Sequence, residues 1–231
     1  MNIKISQTSP LTSPKIRSSE AGKLLTVSAI FSSGLVMVRI IHTGKLTFVS
    51  LVWNLFLAYV PYFLSHFISG RTWMKDKKLF ALLFFLVWIF WIPNSFYIIT
   101  DLFHLSDELN LSSVPAWYDL ILISSFAWNG MLLGILSVRE MEKIFWSHVR
   151  IKHELFFLYP VMWLNALGVY TGRYLRFNSW DAIMSPFQLF MDIGEVLIHP
   201  AKYPGAWAMI LCFSIWLTLI YLTLKRVSRA I

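Results

Sequence analysis

WIFWIPNSFYIITDLFHL, residues 88–105, passes from a fully apolar run to a line of polar side chains without losing helical spacing. Asn94, Tyr97, Asp101 and His104 fall at i, i+3, i+7 and i+10, which is one face of a helix. Pro93 opens that line and removes one backbone donor, so a kink is expected there. A helix that ends in lipid with Asn, Tyr, Asp and His on one side must aim that side at protein or water.

The rest of the chain supports a membrane setting. Of 231 residues, 57% are hydrophobic, 17% aromatic and only 14% charged. A soluble domain of this size carries roughly a quarter charged residues. Apolar runs of about twenty residues recur, which is bilayer length at about 1.5 Å per residue. The alternating segments of a β-barrel are absent. The expected fold is all-α: an integral membrane bundle of six transmembrane helices plus a short amphipathic interfacial helix.

Six spans are expected: Leu24–Ile41, Leu46–Ser69, Leu79–Ile99, Trp117–Val138, Leu155–Leu175 and Ala206–Leu224. They form a single transmembrane domain over 24–231. Residues 1–23, rich in Ser, Thr and Pro, read as a disordered cytoplasmic tail before an uncleaved first helix. A net charge of +8 would suggest nucleic acid in a soluble protein. Here the basic residues sit in short loops, so they are topology signals and no nucleic-acid partner is implied. Alternate loops and both tails hold 15 lysines and arginines, and the opposite side holds 5. That bias puts both termini in the cytoplasm and the Asp101 stretch at the outer leaflet. The lone cysteine, Cys212, lies in an apolar run and allows no intramolecular disulfide.

Several features read as structural. His42 to Lys45 makes a tight hairpin, and Arg39 is close enough to the interface to snorkel. Pro61 is expected to kink the second span. Trp53, Trp88, Trp91, Trp117 and Trp207 read as an aromatic belt. Gly130 and Gly134, extended by Ala127 and Ser137, form one small-residue ridge, and Gly168 and Gly172 form another. Such ridges predict close packing of the fourth and fifth spans. Asn129 and Asn165, mid-membrane, read as interhelical hydrogen bonds.

The last outer loop contains a helix of its own over 186–198. Ser185, Pro186 and Gln188 read as cap, first-turn proline and capping-box partner. Gln188, Asp192, Glu195 and His199 share a polar face, while Phe187, Phe190, Met191, Val196, Leu197 and Ile198 cover much of the rest. This reads as an amphipathic helix at the interface, a lid or brace over the bundle.

If the topology holds, polar groups converge at one depth. Asn94, Tyr97, Asp101 and His104 come from the third span, with Thr100 placed to cap or orient Asp101. Tyr118 and Asp119 open the fourth. Tyr170, Arg173, Arg176, Asn178, Trp180 and Asp181 end the fifth and follow it. Three readings stay open. In the first, Asp–Arg pairs and helix caps satisfy each other and the cluster is structural, as in a scaffold or assembly protein. In the second, Arg173 and Arg176 grip a small anionic or lipid-linked ligand for binding or transport. In the third, an outward-facing enzyme uses His104 or Asp101 as acid or base. The lipid bilayer is the one partner implied throughout. No recognised metal spacing occurs, no metal is assigned, and no cofactor motif is present.

The same stretches carry a family resemblance. Pro93-Asn94 through Tyr97, Thr100-Asp101-Leu102 and His104-Leu105 resemble a PN-x-x-Y-x-x-TDL-x-HL signature. Val114 to Asp119, VPAWYD, and Gly172 to Asp181, GRYLRFNSWD, complete it. Together they resemble domain-of-unknown-function family 1361 across roughly spans two to six. Phe96 departs from that pattern, which has proline there. The resemblance implies a multi-pass protein of the bacterial cytoplasmic membrane and carries no established activity.

Overall fold

The structure is a computed structural model that describes residues 14–69, 78–103, 114–148, 153–177 and 181–230. Every element among them is helical, and six helices are long and apolar enough to cross a membrane. The first, α1 (Pro14–Thr43), begins inside the segment expected to be a tail. Proline suits a first helical position, where its missing N–H would have had no partner. A turn with Gly44 at φ +66° leads to α2 (Val49–Ser69), which contains Pro61.

The third crossing, expected as one helix, comes in three pieces. These are α3 (Lys78–Trp91), α4 (Pro93–Tyr97) and a 3₁₀ turn over Ile98–Phe103. Pro93 explains the break, because it offers no N–H to the preceding turn. The Ser95 N–H bonds the Ile92 carbonyl at 3.0 Å, a tightened turn. The Trp91 carbonyl so released accepts the Asn94 side-chain amide at 2.9 Å. Asn94 therefore closes the end of α3.

The chain continues as α5 (Ala116–His148), α6 (Glu154–Arg173), α7 (Asp181–Met184), α8 (Pro186–Ile198) and α9 (Pro204–Ala230). α5 is the central helix: 67% of its most apolar window is buried in the bundle, against 22% for α1. α2 packs along α5, and α6 pairs with α9.

Between these two pairs sits α4, the wedge of the bundle. It touches α2, α5 and α6, and glycines let the backbones approach. A Cβ at Gly130 would lie 2.6 Å from the Ser95 carbonyl oxygen, and one at Gly134 would lie 2.7 Å from the Phe96 ring. On the other side, a Cβ at Gly168 would lie 2.6 Å from the Pro93 ring, and one at Gly172 3.0 Å from the Tyr97 ring. The two ridges thus face α4 rather than each other, which corrects the expected direct packing of the fourth and fifth spans. In lipid there is no hydrophobic force between helices, so this contact density is itself the stabilising term.

Hydrogen bonds stitch the same layers. Trp88, expected in an interfacial belt, is fully buried and donates its indole N–H to the Ser137 hydroxyl at 2.8 Å. Ser137 in turn donates to the Pro61 carbonyl at 2.8 Å. Asn129 on α5 donates to Ser32 on α1 at 3.0 Å, an interhelical bond as expected. Among the described residues Asn165 does not make one: its amide bonds the Val161 carbonyl of its own helix at 2.8 Å. A helical Asn reaches its own i−4 carbonyl without needing a neighbour.

Candidate functional site

A cleft of about 720 Å³ lies against α4. One wall is α2 with Ser50, Trp53 and Asn54, and another is α3 with Leu86, Ile89 and Phe90. The facing wall is α6 with Leu164, Leu167 and Thr171, and Leu189, Phe190 and Ile193 of α8 lie across it. Asn94, Tyr97 and Asp101, beside Pro93, supply the described part of the polar stripe that the sequence placed on one face. The stripe survives the change of winding because a 3₁₀ turn tightens the helix without ending it.

Polarity is graded along the cleft. The polar lining groups Ser50, Asn54, Asn94, Tyr97, Asp101 and Thr171 come from the start of α2, from α4 and the turn after it, and from the end of α6, with Trp53 and Phe177 beside them, while Leu86, Ile89, Phe90 and Leu164 come from earlier turns of α3 and α6. The rims are exposed, with Leu86 at 52%, Phe90 at 46% and Leu164 at 42%. The cleft therefore opens sideways, where a bilayer would place lipid chains.

Asp101 is only 5% exposed. The Asn54 side-chain amide donates to Asp101 Oδ2 at 3.1 Å, and Arg173 lies 3.8 Å from Oδ1. The Arg173 guanidinium also sits 5.4 Å over the Phe103 ring. A carboxylate taken out of water needs such partners. Thr100 does not orient Asp101; it donates to the Tyr97 carbonyl at 2.7 Å, the local bond a threonine finds within one helical turn. Asn54 was missed in the sequence, and its signal was a lone amide in an apolar and aromatic span.

Asp119 belongs elsewhere. It is 2% exposed and accepts two bonds from Arg39, at 2.7 and 3.0 Å. Arg39 does not snorkel: it is itself 2% exposed, with its guanidinium 4.6 Å over the Phe48 ring. A buried arginine needs a carboxylate more than it needs the interface. Tyr118 donates to the Leu35 carbonyl at 2.8 Å and ties α5 to α1. Neither Tyr118 nor Asp119 lines the cleft. Arg176 is exposed with φ +59°, and Asp181 opens α7; neither lines it. His104, Asn178 and Trp180 fall outside the described residues.

α8 lies on the bundle through Leu189 and Val196, and Trp207 donates to the Val196 carbonyl at 3.0 Å. The expected capping box is not made. Ser185 gives no side-chain cap, and Gln188 donates not back to Ser185 but to Asp192 at 2.7 Å, one turn on. Glu195 accepts Lys202 at 2.5 Å and Tyr203 at 2.8 Å. The Lys202 bond, then the Tyr203 bond, hold the Glu195 carboxyl below its usual range, and Glu195 holds Lys202 above its own.

A second polar cluster, at the far end of α5, was not anticipated. Glu142 accepts Tyr221 at 2.6 Å and Lys225 at 2.7 Å, and Lys225 also reaches Glu154 at 2.6 Å. It joins α5, α6 and α9, and its members satisfy one another. Among the described residues no three His, Cys, Asp or Glu side chains converge as metal ligands.

A sequence model described as "Protein of unknown function (DUF1361)" matches residues 53–220, well over half of the chain. No curated protein and no solved structure matches the chain.

Proposed function

The chain belongs to the DUF1361 family of proteins of unknown function, and from that premise we propose that its cleft holds an amphiphilic, lipid-linked molecule. The observation that carries this is the graded cleft itself: hydrogen-bonding groups around Asp101 at one end, apolar walls toward Leu86 and Leu164 at the other, and an opening on the bundle's outer face. A free anion is the weaker reading. Arg173 is engaged with Asp101 and Arg176 is exposed, and neither lines the cleft. Passage of a polar solute is weaker too, because the walls turn apolar away from Asp101, and Asn129 and Asn165 are not on them. The distribution of basic loops supports a cell-membrane protein with both termini cytoplasmic and the Asp101 end in the outer leaflet.

The experiment is native mass spectrometry of lipids retained by the purified chain. Wild type is compared with Leu164→Trp, which fills the apolar end, and with Asp101→Ala. Wild type is expected to carry a bound lipid that both variants lose. The same lipid complement on all three proteins would remove the proposal.

A further inference from the structure

The cleft's polar end has a chemistry of its own, and it is dominated by acceptors. Asp101 brings a carboxylate, which accepts only. Asn54 spends an amide N–H on Asp101 Oδ2 at 3.1 Å, and its carbonyl oxygen makes no hydrogen bond among the described residues. Asn94 spends an N–H on the Trp91 carbonyl at 2.9 Å. Thr171 donates its hydroxyl hydrogen to the Leu167 carbonyl at 2.9 Å, leaving lone pairs on the cleft side of the bond. The Tyr97 hydroxyl makes no hydrogen bond among the described residues, although its ring is pinned against Gly172. Thr171 thus uses its only donor inside the protein and Asn54 and Asn94 one N–H each, while Asp101 brings none.

Charge points the same way. Among the described residues, the single ionisable group on the cleft wall, apart from the tyrosine phenol, is the Asp101 carboxylate. Arg173 sits 3.8 Å from it, so the pair is close to neutral overall. A phosphate head entering this end would meet a carboxylate first, with the compensating cation outside the wall. A full ammonium would compete with Arg173 for a charge already matched. An uncharged head that donates hydrogen bonds meets neither penalty.

We infer that the cleft selects an amphiphile whose head is uncharged and hydroxyl-rich, such as a glycosyl or polyol lipid, with its chain laid between α3 and α6. This rests on the reading of the cleft as an amphiphile site and names the head that it takes. Asp101, Asn54 and Tyr97 set the selection: the first two accept from the head's hydroxyls, and the Tyr97 hydroxyl can return a donor.

The test uses the full chain in phosphatidylcholine vesicles and radiolabelled dodecyl glucoside, with empty vesicles as the background. Saturable binding is expected, displaced by dodecyl maltoside and at least about tenfold less well by dodecyl phosphate or dodecylamine. Asp101→Asn is expected to weaken glucoside binding about tenfold or more, in line with loss of a bond to a charged acceptor. Tyr97→Phe removes one hydroxyl and keeps the ring on Gly172, so it reports the head contact even if Asp101→Asn folds poorly. Leu164→Trp is expected to abolish binding whatever the head. If dodecyl phosphate or dodecylamine displaces the glucoside as well as the maltoside does, the head assignment is overturned while the amphiphile cleft stands. Glucoside affinity unchanged in Tyr97→Phe and in folded Asp101→Asn overturns it too. If no probe binds saturably, the cleft reading itself fails, and the assignment with it.

Discussion

Gly168 of α6 stands so close to Pro93 of α4 that a methyl group at residue 168 would lie 2.6 Å from the proline ring. Both atoms belong to stiff groups, one on helix backbone and one in a ring, so neither can swing away. Gly168→Ala is therefore expected to destabilise the bundle by about 1–3 kcal/mol, the usual cost of forcing an extra methylene into a packed core. Gly34 of α1 has nothing within 4 Å of its added Cβ, and Gly34→Ala is the matched control. Thermal unfolding of the detergent-solubilised protein, followed by near-UV circular dichroism, checks this. Equal melting temperatures for the two variants would mean that α4 is not wedged as described.

That contact also marks how far the sequence could be read. Its glycine spacing shows that some backbone must approach α6 there. Spacing alone does not name the approaching segment, and the natural guess was the other ridged helix. The intervening α4 exists because Pro93 tightens the chain, and Asn94 then has a carbonyl to close. The apolar runs, by contrast, depend only on local composition and bilayer length, so the crossings were legible. The polar line through Asn94, Tyr97 and Asp101 was legible as well, since helical periodicity keeps it on one face. Asp119 was misplaced because its partner, Arg39, lies 80 residues earlier in the chain, where no local pattern points to it.

The Arg39–Asp119 pair gives the second prediction. Both side chains are almost fully buried, at 1% and 3% exposure. Removing one partner strands a charge, which costs about 3–5 kcal/mol, whereas replacing both by apolar groups costs far less. Arg39→Leu and Asp119→Leu are each expected to fold poorly, and the double variant to recover much of the loss. A double-mutant cycle on unfolding midpoints reads this directly. Additive losses would show that the two residues act independently.

The charge bias over the loops yields the third. A reporter active only outside the cytoplasm, fused after Leu109, is expected to be active, and the same reporter fused at the C-terminus is expected to be silent. Trypsin access to the basic segment Arg71–Lys78 should follow the C-terminal side. The opposite pattern would turn the Asp101 end toward the cytoplasm and move the proposed lipid to the other leaflet.

The fourth concerns α8, which lies over the cleft with Leu189, Phe190 and Ile193. Glu195 joins α8 to Lys202 and Tyr203 in the turn that follows. Its carboxyl is held below the usual range mainly by the Lys202 bond, and Lys202 is held above its usual range mainly by the same bond. A depressed carboxyl pKa contributes to docking fully above the unperturbed value, near 4.3, and the contribution is lost as pH falls through the lower bound-state value. The raised Lys202 value contributes fully below about 10.4, and that contribution is lost as pH climbs through the higher bound-state value. Neighbouring His199 and Asp192 complete the charged groups along this edge; Asp192 is bonded to Gln188 at 2.7 Å. The docked state should therefore show a plateau from mildly acidic to mildly alkaline pH. A bimane probe on Met191→Cys, in a Cys212→Ala background, is expected to report α8 loosening on the acid side only below the ordinary carboxylate value. Glu195→Gln should flatten that acid limb. An acid limb that persists unchanged in Glu195→Gln would remove the clamp.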